Sequence, residues 1–165
     1  MAQNTTWKGA QSSDWSVASN WTNGVPTPNS NVTIGYIHSY NHQPVLSSQV
    51  TIKKLTLGRN NQTLQLTSQA VLNVTKSLSI GNSGKIDLGD GSLIVDKNST
   101  IGGEIEIASG NLTFLNGMTL NGNGKIDNQS GVITVGSINN SNVNLLLAGN
   151  GEFQLGSGDL ICFGS

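Results

Sequence analysis

The sequence predicts an all-β chain wound into a single-stranded parallel β-helix, a β-solenoid of about 20 residues per coil with a tryptophan-rich cap at its start. Three observations predict it. A phrase of the form Gly-x-Ile-x-Leu-x-x-Gly-x-Leu-x-Val begins at Gly84 and returns, with variation, at Gly103, Gly124 and Gly151. The segments within it alternate apolar and polar residues, so each has one face for a core and one for solvent. Turn residues punctuate them, as in Gly81-Asn82-Ser83-Gly84 and Asn121-Gly122-Asn123-Gly124. Self-similarity at a fixed short period marks units that bury their apolar side by stacking on their neighbours.

The first element is a leading segment, residues 1–48, that differs from the rest. It holds all three Trp, all three Pro, both Tyr and both His. A solenoid's first coil exposes unpaired strand edges and an open core, and Trp7, Trp15 and Trp21 supply apolar area to plug them. The competing reading makes the same three residues exposed platforms on which a sugar stacks.

Residues 49–165 then read as coils. Strands are expected over 50–57, 63–66, 71–74, 78–80, 85–88, 93–95, 104–107, 112–114, 118–120, 133–135, 143–147, 152–155 and 160–162. No helical period persists. If coils stack as parallel strands about 4.8 Å apart, equivalent residues form files. Ile86, Ile105, Ile126 and Phe153 make one inward file, and Leu93, Leu112, Ile133 and Leu160 another. Leu88, Ile107 and Leu155 make a third, which Asn128 interrupts. Gly91, Gly110, Gly131 and Gly158 recur at one corner, where a positive φ is expected. An antiparallel sandwich is the alternative for many short strands, but it does not call for a glycine at the same phase of each repeat.

Composition narrows the function. Charged residues are 10% of the chain and the net charge is −1. The basic residues are scattered in sequence, only Lys53 and Lys54 adjoining, which gives no electrostatic case for nucleic acid. No apolar run is long enough for a membrane helix, so membrane insertion is not expected. Cys162 is the single cysteine and excludes an internal disulfide. No signal peptide is visible, and Met1-Ala2 reads as an expression start on a mature, exported chain.

The polar positions of the first file carry the most suggestive chemistry. One outward file reads Lys85, Glu104, Lys125, Glu152; the next reads Asp87, Glu106, Asp127, Gln154. Stacked like charges destabilise a sheet, so the acids need an offset from the lysines or from a bound cation. Asp87, Glu106 and Asp127, with Asp90, are therefore the candidate calcium ligands, the one cofactor the sequence suggests. A carboxylate pair acting on a polysaccharide is the catalytic alternative. Such sites generally add Arg, Lys or His, whereas the chain has one Arg, Arg59, and its His38 and His42 lie in the leading segment. No catalytic residue is assigned and an enzyme is not expected.

Trp7-Lys8-Gly9, Asp14-Trp15 and Asn20-Trp21-Thr22-Asn23-Gly24-Val25-Pro26, followed by Val32-Thr33-Ile34, resemble the opening of exported bacterial β-solenoid surface proteins. Autotransporter-type passengers and large adhesins are among them, and the coil phrase resembles their repeats. The resemblance implies a right-handed coil, secretion to the cell surface, and a stalk, adhesin or scaffold role, with no catalytic motif. The expected partners are a host or matrix glycan or a protein surface. Residues 160–165 stop in or just after a strand with no capping segment, so the chain reads as a fragment of a larger protein. Self-association through the last coil, as in a filament subunit, is the other reading of that end.

Overall fold

The computed structural model describes residues 3–36, 41–58, 60–137 and 143–163. The chain is a β-solenoid of about five turns, with coils of about 22 residues. Its strands are β1 (Gln3–Thr6), β2 (Ser30–Ile34), β3 (Val45–Leu46), β4 (Gln49–Leu57), β5 (Thr63–Leu66), β6 (Val71–Ile80), β7 (Lys85–Asp87), β8 (Ser92–Val95) and β9 (Ser99–Ile101). They continue as β10 (Glu104–Ile107), β11 (Asn111–Phe114), β12 (Met118–Leu120), β13 (Lys125–Asn128), β14 (Val132–Val135), β15 (Leu145–Leu147), β16 (Glu152–Leu155) and β17 (Asp159–Cys162). One short 3₁₀ turn, Ala18–Asn20, is the only helix among the described residues.

Every strand pairing among the described residues is parallel, which excludes the antiparallel sandwich. The six-stranded sheet runs β16-β13-β10-β7-β5-β3. The eleven-stranded sheet runs from β1 to β17 through β2, β4, β6, β8, β11 and β14. The long β6 pairs with β8 through its first half and with β9 through its second, so this sheet divides into two walls. A triangular coil results. Wall one carries β8, β11, β14 and β17, wall two carries β2, β9, β12 and β15, and wall three is the six-stranded sheet.

Alternation places the core where the sequence predicts. Ile105 pairs with Ile86 and with Ile126, and Ile126 with Phe153. Leu112 pairs with Leu93 and Ile133, and Ile133 with Leu160. These inward residues are fully buried up to the last coil. There the cover is lost. Leu147 and Leu155 register with buried Leu120 and Asn128 but are half exposed, and Cys162 is exposed.

The corner glycines need a correction. None of Gly91, Gly110, Gly131 and Gly158 has a positive φ. They are required for a different reason: successive corners touch through backbone. A Cβ on Gly110 would lie inside the van der Waals shell of the Gly91 carbonyl oxygen, and one on Gly131 inside that of Gly110. Positive φ falls instead on glycines of other turns, such as Gly89 and Gly122.

The parallel ladder extends into the leading segment, since β1 pairs with β2 and β2 with β4. Beside it the three tryptophans form one cluster. Trp7 and Trp15 each meet Trp21 edge-on, with centroids 4.9 and 4.6 Å apart. Trp21 Nε1 donates to the Trp15 carbonyl oxygen at 2.7 Å and Trp7 Nε1 to that of His42 at 2.8 Å. Asn20 is buried and fastens the loop: its Oδ1 accepts from the Gln11 and Ser12 amides, and its Nδ2 donates to the Asp14 carbonyl oxygen. Asp14 in turn accepts from the Ser16 amide and hydroxyl, which hold its carboxyl below its usual range.

Candidate functional site

Wall three assembles the charged files as the sequence reading placed them. Glu104 registers with Lys85 on one side and Lys125 on the other, and Lys125 with Glu152. Glu106 registers with Asp87 and Asp127, and Asp127 with Gln154. The acids are not left stacked alone. Lys85 Nζ lies 3.5 Å from Glu104 and pairs with Glu106, while Lys125 Nζ lies 2.9 Å from Asp127 and 3.8 Å from Glu104. Asp87 accepts from Gln65 Nε2 and from the Gly89 amide.

Two lysines thus hold both acid files in a two-dimensional lattice. Burial draws the Lys85 ammonium's pKa down, but the Glu106 hydrogen bond and the charges of Glu104 and Glu106 outweigh it, leaving it above its ordinary value. The Asp127 hydrogen bond raises that of Lys125, with smaller help from the charges of Asp127, Glu104 and Glu152. Among the described residues, no group of three or more His, Cys, Asp or Glu side chains is placed to hold a metal ion. Each of Asp87, Glu106 and Asp127 instead has a partner from the protein itself.

A notch opens beside this lattice, at the corner between walls two and three. Its volume is about 420 Å³, and Asn61, Asn82, Ser83 and Asn123 line it together with Lys85, Glu104 and Lys125. Its origin is a short turn. Between β9 and β10 only Gly102 and Gly103 intervene, whereas the coils above and below spend residues 81–84 and 121–124 on the same corner. The missing residues leave a gap whose floor is glycine. A Cβ on Gly102 would meet the Asn82 and Asn121 carboxamide oxygens, 2.9 and 3.1 Å away. The notch therefore offers carboxamides, a hydroxyl and paired charges to a small polar group.

The sequence reading missed this corner. The signal was present as Asn61 and Asn82 one coil apart and Asn123 two coils further on, but turn asparagines are common enough to pass as punctuation. The tryptophans proposed as sugar platforms are all buried, so none presents a ring face to a ligand. His38 and Arg59 lie outside the described residues. No helix among the described residues is long and apolar enough to cross a membrane.

A family model described as Domain of unknown function (DUF8693) matches residues 6–120. The chain belongs to that family. No curated protein and no solved structure matches it. The span matched by the DUF8693 model runs from the end of β1 through β12, so it takes in the tryptophan cluster and the Gly102-Gly103 notch floor. Lys125 and Asp127 fall beyond it.

Proposed function

We propose that this DUF8693 chain is a non-enzymatic structural module of a secreted or cell-surface bacterial protein, a stiff rod serving adhesion or spacing. One observation carries the reading: three walls of parallel strands enclose a single file-by-file core from β2 to β14. Stretching such a rod along its axis loads the backbone ladders between coils, and every coil shares the load with its neighbours. The resemblance of the Trp-rich opening and coil phrase to exported surface solenoids supplies the location. Pulling single molecules by their ends tests the mechanics. The rod is expected to resist with little extension and then give way in coil-sized steps. Smooth lengthening at low force would end the reading. Protease shaving of intact cells tests the location, with the rod expected among the released peptides.

A second reading, glycan binding, has its own observation in the carboxamide-lined notch. Asn82→Ala and Asn123→Ala are expected to abolish retention on a neutral glycan array to which the parent chain binds. An unchanged array pattern removes the notch from consideration.

A further inference from the structure

The lysines that are scattered in sequence are not scattered in the fold. Val74 pairs with Val95 and Leu78 with Ser99, with equal spacing on both strands, so Lys76 lies over Lys97 where walls one and two meet. The bulge between Ile52 and Lys54 puts Lys53 and Lys54 at the same corner one coil earlier. Four of the seven lysines thus follow one edge over three consecutive coils, which rise about 4.8 Å each. Lys54, Lys76 and Lys97 are exposed and Lys53 is half-buried. Asp96 is the acid of this edge, and among the described residues none of the four lysines is in an ion pair. Wall three interleaves its lysines with acids; this edge stacks like charge on like charge, an arrangement that costs stability unless an anion lies along it.

Two neighbouring features say what kind of anion. Parallel to the lysines, wall two presents one outward hydroxyl per coil: Thr33, Thr56, Ser79, Thr100 and Thr119 are in register. Next to Lys97 the edge opens into a hollow of about 260 Å³ lined by Asn98, Asn116, Asn144 and the two threonines Thr100 and Thr119. Ser99 also lines it, and its hydroxyl is buried without a hydrogen-bond partner. The surface therefore pairs a line of cations with a line of hydroxyls and carboxamides. Among the described residues the exposed aromatic, Tyr36, stands past the far end of β2 and not at the lysine corner, where a nucleobase would need a ring to stack on.

We propose that this edge binds a linear acidic polysaccharide laid along the rod axis. Its carboxylates or sulfates meet Lys53, Lys54, Lys76 and Lys97. Its hydroxyls meet the threonine file and the hollow beside Ser99. The edge lies at a different corner from the wall-three notch, so the two sites fail independently.

The test is affinity electrophoresis of the intact chain through gels containing polygalacturonate, chondroitin sulfate or neutral dextran. Retardation by at least one acidic polymer and not by dextran is expected, and it should fade with added salt. The K53Q/K54Q/K76Q/K97Q variant should lose about tenfold or more in affinity, what four exposed charge pairs supply together. The corresponding four-arginine variant should keep its affinity, as should K8Q, which removes a lysine of the leading segment. Should the four-glutamine variant melt early, K76Q/K97Q alone is expected to show part of the loss. Unchanged retardation of the four-glutamine variant overturns the proposal, as does an equal loss in K8Q. So does binding of oligo(dT) or phosphatidylglycerol vesicles as tight as that of the acidic polysaccharides.

Discussion

Asn128 turns back on Gly131 and satisfies both of its backbone groups. Its Nδ2 donates to the Gly131 carbonyl oxygen at 2.9 Å, and its Oδ1 accepts from the Gly131 amide at 2.8 Å, all of it buried. Its neighbours in the file, Ile107 and Leu155, are apolar, so a leucine matches the pattern better than the asparagine does. The physics predicts no such advantage. Asn128→Leu leaves the buried Gly131 N–H without a partner, costing about 1–3 kcal/mol, which offsets a gain of about 2 kcal/mol for the apolar side chain. The Gly131 carbonyl oxygen keeps its bond from the Asp159 amide. A change of no more than about 1 kcal/mol is expected in urea denaturation. A variant stabilised by more than that would show that file apolarity outweighs corner hydrogen bonding.

The corner glycines separate two causes of glycine use. Gly110 has ordinary φ but no room, because its Cβ would press on the backbone of the coil below. Gly122 has φ of +59° and open space around it. Gly110→Ala forces two coils apart and is expected to cost about 3 kcal/mol. Gly122→Ala carries only the left-handed strain of about 1 kcal/mol. Thermal melts of the two variants check the order, and equal losses would remove the stacking explanation.

The same pair shows what was legible in the sequence. The recurrence of glycine was readable, and so were the files it accompanies, because side-chain alternation and coil period both act through nearest neighbours. The reason for the glycine was not, since contact between carbonyl and Cα across coils leaves no mark on local propensity. Within residues 49–165 two strands were also missed, besides β1 and β3 of the leading segment. Ser99 faces inward at a position its file fills with Leu78 and Met118, so Ser99–Ile101 lacks an apolar start. Lys125–Asn128 ends in the buried asparagine and so reads as a turn. The lysine edge was hidden for a third reason. Its members are about 22 residues apart, and adjacency in sequence is the wrong ruler for a coil.

The tryptophan cluster yields a prediction about order of unfolding. Trp21 lies edge-on to both Trp7 and Trp15 and is 1% exposed, so it is the centre of the three. Trp21→Ala removes both ring contacts and the hydrogen bond to the Trp15 carbonyl oxygen, at an expected cost of about 3–5 kcal/mol. The loss should concentrate at the open end of the ladder. Hydrogen exchange is expected to speed up in β1 and β2 and to stay slow in β8 and β11. Uniform acceleration along the rod would mean that the leading segment is not a separate cap energetically.

The wall-three lattice predicts a pH dependence at the alkaline end. Lys85 and Lys125 have folded-state pKa values raised above the ordinary 10.5. Folding therefore favours their protonated forms. Their contribution is fully present below pH 10.5 and is lost as the pH rises through the raised values. The parent chain's melting temperature should fall above that point more steeply than that of K85M/K125M, which has no such protons to lose. At neutral pH the order of effects reverses. The variant melts lower than the parent because Glu104, Glu106 and Asp127 lose their cations. The same melts test calcium. With its acids already paired, the parent is expected to show the same midpoint with and without the ion, and a calcium-dependent rise would point to Asp87, Glu106 and Asp127 as its ligands.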